Sequence, residues 1–279
     1  MLLVIHFVAP YAIIQPGRVH LNSTPADYNM AYKKLSLKTT DSINLVGYHI
    51  KSQKDHTKGV LILVHGVGGC KEHFVALGAK LAKIGIASYL FDERAHGESG
   101  GKYCTYGFYE KHDITKIVDL AKQTYPNMPV GIWGNSLGGA VALQAMEIDK
   151  RLEFGVIEST FTNLHQITFD YKKRVLQGIG IRAISDYALQ RAGKIANFNP
   201  EKVQPIAAVK NIEQPVFIAH GDKDIHISIK YGKALYEHLK SKDKVWYPIE
   251  GGTHVNMSKQ GGKVYQNALL KFINENLNP

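Results

Sequence analysis

Short apolar runs that alternate with helical patterns constrain the fold of this chain more than any other feature. Six runs of four or five residues are rich in aliphatic and aromatic side chains, and helical periodicity fills most of the intervals between them. Runs of this length that are apolar on both faces are typical of strands buried within a parallel sheet. The sequence therefore predicts an α/β fold, with a mostly parallel central sheet flanked by helices. The predicted strands cover residues 60–64, 87–91, 130–133, 154–157, 216–219 and 245–249, and the helical patterns lie near 72–84, 108–124, 137–148, 229–240 and 258–277.

Two stretches interrupt this alternation and predict the domain organisation. Period-two patterns on either side of Asp41 and Ser42 indicate a hairpin before the first buried strand. Residues 160–210 show a patchy helical pattern but no clear buried strand. Because a structureless loop of that length is unusual inside a compact domain, we predict a small helical lid inserted over the sheet. We therefore expect a hydrophobic segment and connector over 1–32, followed by one domain over 33–279 that carries the lid.

The first fourteen residues, MLLVIHFVAPYAII, are rich in apolar side chains but are interrupted by His6 and Pro10. A helix of this length, at ~1.5 Å per residue, is shorter than a ~30 Å hydrocarbon core. The run has no Lys or Arg before it and no clear small-residue cleavage site after it, so it is an imperfect signal peptide. Three interpretations stay open: a short membrane-associating anchor, an atypical signal segment, or structure packed on the domain. A membrane-associated and a cytoplasmic location stay open with them.

The net charge of +10 is concentrated in two parts of the chain. Residues 1–60 hold seven Lys and Arg against three Asp and Glu, and residues 165–210 hold eight against three. Neither part has the dense basic stripe or the known module of a nucleic-acid-binding protein, so we exclude nucleic acid as a partner. An anionic membrane surface is one hypothesis for these cations, and an ordinary solvated face is the other.

The sequence Gly134-Asn-Ser136-Leu-Gly138 offers the candidate nucleophile, since it follows a predicted strand and opens a helical pattern. A G-x-S-x-G sequence in that context predicts a sharp strand-to-helix turn that presents the serine hydroxyl at the carboxyl edge of the sheet. The plain alternative is a glycine-rich packing turn in which Ser136 only caps the helix.

A serine hydroxyl needs a general base, and the base needs an orienting carboxylate. His254 follows the last predicted strand, and Asp224 lies in the loop after the penultimate one. The order Ser136, Asp224, His254 is that of one hydrolase architecture. His226 is the rival base, whereas His65 and His220 are expected to be buried core residues.

The loop after the first buried strand, Val64-His65-Gly66-Val67-Gly68-Gly69, is rich in glycine. Glycines let backbone N–H groups turn toward an oxyanion that develops near the nucleophile. We expect the donors of this oxyanion hole to be the backbone amides of Val67 and Leu137.

With these motifs in order, residues 33–279 resemble the serine-hydrolase branch of the α/β-hydrolase superfamily, and most closely its bacterial BEM46-like group. The stretch Asp92-Glu-Arg94-Ala95-His-Gly-Glu-Ser is similar to the family's D-x-R-G-H-G-x-S motif, with Ala95 in place of a common glycine. The resemblance implies the α/β-hydrolase fold, and it implies that Asp92 and Arg94 hold their loop.

The same resemblance bears on the choice of the acid. The family's H-G-x-x-D pattern selects Asp224, with Asp222 as the alternative. Glu158 lies just past another predicted strand, at an edge from which some relatives supply the acid instead.

The predicted function is hydrolysis of carboxylic esters or thioesters of small-molecule or lipid-like acids through an acyl-enzyme, with no metal and no cofactor. The alternatives are a catalytically silent binding protein with this fold, and the same triad used for amide hydrolysis or acyl transfer. Cys70 and Cys104 are expected to be free thiols, with a disulfide as the alternative. The sequence indicates no particular oligomeric state.

Overall fold

A single eight-stranded sheet forms the centre of the protein. The computed structural model describes residues 2–175 and 180–277. The strands lie in the order β1-β2-β4-β3-β5-β6-β7-β8, and all neighbours from β4 to β8 are parallel, while β2 is antiparallel to both β1 and β4. The predicted mostly parallel sheet and hairpin are thereby confirmed. The strands are β1 (Tyr32–Lys38), β2 (Asn44–Ile50), β3 (Gly59–Val64), β4 (Ile86–Phe91), β5 (Val130–Asn135), β6 (Phe154–Glu158), β7 (Val216–Gly221) and β8 (Lys244–Ile249).

Helices cover both faces of the sheet, because the central strands are apolar on both faces. On β3, for example, Val60 and Ile62 face one apolar core and Leu61 and Leu63 face the other. The helices on the two faces are α3 (Val75–Lys83), α4 (Glu110–Thr124), α5 (Leu137–Ile148), α9 (Ile229–His238) and α10 (Met257–Leu277). The first core includes side chains of α4, α5 and α9, and the second includes side chains of α3 and α10.

The remaining helices are α1 (Leu2–Phe7), α2 (Ala9–Ile14), α6 (Leu164–Val175), α7 (Arg182–Ala196) and the short α8 (Pro205–Ala208). Side chains of α2, α6 and α7 contribute to a third apolar core away from the sheet. In this third core, Ile13 and Ile14 of α2 are buried with Ala188 and Leu189 of α7. Helices α6 and α7 lie within the predicted lid, whose residues 176–179 lie outside the described residues. The division into an N-terminal segment, a domain and a lid stays a prediction.

The N-terminal residues contact the rest of the protein through main-chain groups as well. The carbonyl of Ile14 accepts the amide N–H of Cys104 at 2.8 Å, and the carbonyl of Ile13 accepts the Tyr106 hydroxyl at 2.5 Å. The segment therefore packs on the rest of the chain, while its interpretation as an anchor or a signal segment stays a prediction. Among the residues that the structure describes, no helix has both the length and the apolar character needed to cross a bilayer.

Candidate active site

Ser136 lies at the sharp turn between β5 and α5. Its backbone has φ 54° and ψ −119°, a conformation that costs free energy in an L-residue and is found at functional sites. The flanking glycines permit the turn, since a Cβ on Gly138 would lie 2.1 Å from the carbonyl oxygen of Val64. The Ser136 side chain makes no capping hydrogen bond to α5, so its hydroxyl is free for another partner.

That partner is His254, which follows β8 at the same edge of the sheet. The Nε2 atom of His254 lies 3.0 Å from Ser136 Oγ, and its Nδ1 atom lies 2.7 Å from Asp224 Oδ2. The structure thus brings all three predicted side chains into one hydrogen-bonded chain. Because a carboxylate only accepts, Nδ1 carries a proton, and Nε2 is left to accept the proton of Ser136.

The carboxylate of Asp224 is buried and fixed by its own loop. Its Oδ1 atom accepts the amide N–H groups of His226 at 2.8 Å and Ile227 at 2.9 Å. Burial alone would raise the pKa of this carboxyl. The N–H groups of His220, His254 and Ile227 that face the carboxylate outweigh burial and hold the pKa of Asp224 below its ordinary value. Asp224 is therefore charged at neutral pH and able to stabilise a protonated His254.

None of the three rival residues takes the place of these side chains. The exposed ring of His226 is centred 5.4 Å from that of His254 and makes no hydrogen bond with Ser136. Asp222 accepts the amide N–H of Gly251 at 2.7 Å. Glu158 is buried and accepts the indole N–H of Trp133 at 2.8 Å and the hydroxyl of Tyr265.

The loop after β3 lies against the nucleophile turn. A Cβ added at Gly66 would lie 3.2 Å from the Cβ of Ser136. In the described part of the chain, neither Val67 nor Leu137 donates its amide N–H to a backbone acceptor. His65 braces this loop, since its Nδ1 lies 2.8 Å from the Gly66 carbonyl and its Nε2 accepts the amide of Glu93. Burial lowers the pKa of His65 to about 3, so it is neutral, and His220 is buried as well.

The stretch around Asp92 and Arg94 holds two neighbouring loops. Asp92 accepts hydrogen bonds from the amide and the ammonium group of Lys71, at 2.7 and 2.9 Å. Arg94 binds both carboxylate oxygens of Asp113 at 2.7 Å and also contacts Asp41. Neither side chain touches Ser136 or His254. The two cysteines, Cys70 and Cys104, are buried free thiols.

Sequence reasoning missed two residues that support this edge of the sheet. The hydroxyl of Thr160 donates to the carbonyl oxygen of Ser136 at 2.7 Å, and Arg174 of α6 donates to the carbonyl oxygens of Ile225 and His226 at 3.0 and 2.9 Å. Neither residue lies in a motif, and no sequence signal could have identified either.

Comparison with known proteins points to hydrolases. The model of the family "Serine aminopeptidase, S33" matches residues 55–187. The uncharacterized protein YqkD of Bacillus subtilis is 28% identical over 241 residues, which are 84% of this chain and 76% of YqkD.

Two eukaryotic relatives are matched over part of their length. Lysophosphatidylserine lipase ABHD12 of Danio rerio is 29% identical over 68% of this chain, and protein bem46 of Schizosaccharomyces pombe is 23% identical over 56%. The chain spans about half the length of each, 49% and 53%. Among solved structures, the Pyrococcus furiosus esterase Pf2001 superposes with a TM-score of 0.78 at 24% identity, over 94% of this chain and 98% of the esterase. This likeness shows that the two proteins share a fold.

Proposed function

We propose that this chain cleaves carboxylic esters or thioesters through Ser136, His254 and Asp224. The chain is an α/β-hydrolase-fold serine hydrolase of the BEM46-like group. The chain is a hydrolase enzyme, so a silent binding protein is set aside. The observation that carries the proposal is the unbroken chain of hydrogen bonds from the Ser136 hydroxyl through His254 to the buried carboxylate of Asp224.

The proposed reaction has two stages of acyl transfer. His254 Nε2 takes the proton of Ser136 as Oγ attacks the acyl carbon, and Asp224 stabilises the imidazolium that forms. The amides of Val67 and Leu137 bind the oxyanion, and the loss of one such donor typically costs ~2.7–4 kcal/mol of transition-state stabilisation. The departing alcohol or thiol takes the proton from His254. Water, activated by His254, then attacks the acyl-enzyme and releases the acid.

Labelling by a fluorophosphonate probe tests the nucleophile. We expect the protein and a Ser185→Ala control to be labelled, because Ser185 is a buried serine of α7 outside the site. Ser136→Ala should be unlabelled and should lose esterase turnover. Labelling or turnover that survives in Ser136→Ala would refute the assignment.

A substrate panel tests the reaction. It contains p-nitrophenyl esters of increasing acyl length, acyl-thioesters and aminoacyl anilides. We expect turnover of the esters or thioesters to exceed that of the anilides. The name of the matching family makes amide hydrolysis the competing outcome, and a preference for the anilides would establish it.

We further propose a lipid-like acyl substrate that is taken at an anionic membrane surface. Helix α2 packs on α7, which carries Arg182, Arg191 and Lys194, and His6 Nδ1 lies 2.6 Å from the hydroxyl of Tyr187. The outer side of the N-terminal helices presents Leu3, Phe7 and Val8, which are 73%, 58% and 56% exposed. Exposed apolar side chains beside cations are typical of helices that lie in a membrane interface. The lipid substrate in the name of ABHD12 supports the same substrate class.

Co-sedimentation with vesicles tests the membrane proposal. We expect binding to anionic phosphatidylglycerol vesicles that exceeds binding to neutral phosphatidylcholine vesicles and falls with salt. Replacing Leu3, Phe7 and Val8 by Glu should abolish binding. Replacing the exposed Val264 and Leu270 of α10 by Glu is the matched control and should preserve it. Equal binding to neutral and anionic vesicles, or equal binding by both variants, would refute the proposal.

A further inference from the structure

A second imidazole lies beside the Asp224 carboxylate. His220 belongs to β7, four residues before Asp224, and its side chain is fully buried. Its Nε2 atom lies 2.9 Å from the carbonyl oxygen of Ile227 and 3.5 Å from Asp224 Oδ2. Since a carbonyl oxygen only accepts, Nε2 carries the proton of the His220 ring. The Oδ2 atom of Asp224 is therefore close to two imidazole N–H groups, that of His254 at 2.7 Å and that of His220 at 3.5 Å.

We propose that His220 is a positioning residue of this site, which holds the loop of Asp224 closed and orients the carboxylate toward His254. The proposal rests on the proposed function. It assigns His220 no contact with substrate, because His220 acts through Asp224.

The hydrogen bond from His220 to Ile227 joins the two ends of the loop that carries the acid. Within that loop, Asp224 Oδ1 accepts the amides of His226 and Ile227. Those two bonds fix one oxygen of the carboxylate, and the His220 ring lies beside the other. Without the N–H of His220, the carbonyl of Ile227 would lose this donor, and the carboxylate could turn away from His254.

Packing fixes the orientation of the His220 ring. Within the described residues, Nδ1 is buried and has no hydrogen-bond partner. It faces Gly232 of α9, where an added Cβ would lie 2.5 Å from Nδ1 and 3.1 Å from a ring carbon of Trp246. The absence of a side chain at position 232 thus leaves the space that the ring occupies.

Two substitutions of His220 and one of Gly232 test the proposal in the full chain, and a substitution of His49 is their control. His220→Leu removes the donor at similar volume, and His220→Gln keeps an N–H group that can reach the Ile227 carbonyl. His49→Leu is the matched control, because His49 is a buried histidine of β2 whose Nε2 lies 2.9 Å from the Tyr125 hydroxyl, away from the site. Gly232→Ala displaces the ring from behind without touching the loop, and alanine favours the helix that carries it.

We expect His220→Leu to lower kcat for a p-nitrophenyl ester by about tenfold to about a hundredfold with little change in KM, as for the loss of a hydrogen bond beside a charged group. His220→Gln should recover most of kcat, and Gly232→Ala should lower kcat beyond what His49→Leu does at a comparable loss of melting temperature, since overpacking of a buried ring also destabilises the fold. His49→Leu should retain kcat even where it lowers the melting temperature.

The proposal is overturned if the parent is active and Gly232→Ala and His220→Leu keep kcat within about threefold, or if His220→Gln restores stability but not kcat. If His220→Leu does not fold, Gly232→Ala and His220→Gln decide. Absence of Ser136-dependent turnover in the parent would instead contradict the proposed function.

Discussion

Replacement of Asp224 by Asn changes one oxygen of the site into an amino group, and the structure determines where that group must go. Oδ1 accepts two backbone amides, of His226 and Ile227, at 2.8 and 2.9 Å. The amide oxygen of the new side chain therefore takes this position, and its NH₂ group takes the position of Oδ2, facing His254. A donor at that point can bond only to an unprotonated Nδ1. The proton of His254 then moves to Nε2, and Ser136 loses its base.

The expected cost combines the wrong tautomer with the loss of a charge that stabilises the imidazolium. For a serine, histidine and aspartate arrangement this amounts to a loss on the order of 10⁴-fold in kcat, or about 5.4 kcal/mol of transition-state stabilisation. KM should change little, because the carboxylate lies behind His254 and is buried.

Steady-state turnover of a p-nitrophenyl ester measures this effect, with thermal melting as the check on folding. Asp222→Asn is the matched control, since Asp222 lies in the same loop and accepts the Gly251 amide instead of a bond from His254. We expect the control to keep kcat within a fewfold of the parent. A folded Asp224→Asn variant with more than a tenth of the parental kcat would refute the reasoning about tautomers.

Three further predictions concern stability. Ala95 has φ 65°, a backbone conformation that is unstrained for glycine but not for alanine. Ala95→Gly should therefore raise the free energy of unfolding, measured in urea, by up to about 1 kcal/mol. An unchanged or lower free energy of unfolding would contradict this. Thr160→Val removes the buried donor to the Ser136 carbonyl, so it should lower the free energy of unfolding by about 1–3 kcal/mol and lower kcat as well, whereas an unchanged kcat would show that the turn does not need this bond. Hydrogen bonds from Lys34 and Lys71 lower the pKa of Glu98 from 4.5 to about 2. The stability that Glu98 contributes is therefore fully present above about pH 4.5 and is lost as the pH falls toward 2. In melting curves, the advantage of the parent over Glu98→Gln should shrink across this range, and a constant difference would contradict the prediction.

Local sequence patterns were sufficient to predict the sheet and the three side chains that lie together at its edge. Ser136, Asp224 and His254 each follow an apolar run, and the carboxyl ends of parallel strands meet at one edge. Helix boundaries were less accurate, because α3 begins at Val75 rather than near residue 72 and α4 begins at Glu110 rather than near residue 108. The Glu110 carboxylate accepts the amides of Thr105 and Gly107, at 2.7 and 2.8 Å, and so holds the preceding turn out of the helix.

Contacts between distant parts of the chain could not be predicted in this way. The burial of His220 was expected, but its approach to Asp224 depends on how the loop folds back on β7. The packing of the N-terminal residues likewise depends on a face of α7 that is more than 170 residues away in the sequence. Apolar periodicity identifies such faces but does not say which two faces meet.

The end of β6 explains why the acid follows β7 and not β6. The strained backbone of Ser136, which costs about 1–3 kcal/mol, has to be held by its neighbours. Residues at and after the end of β6 do this: the Glu158 carbonyl accepts the Ser136 amide at 2.8 Å, and Thr160 donates to the Ser136 carbonyl at 2.7 Å. With its main chain bonded to the turn, the Glu158 side chain points into the core, where Trp133 and Tyr265 bind it and burial raises its pKa. A carboxyl in that position does not reach His254, whereas Asp224, in the loop after the next strand, lies 2.7 Å from His254 Nδ1.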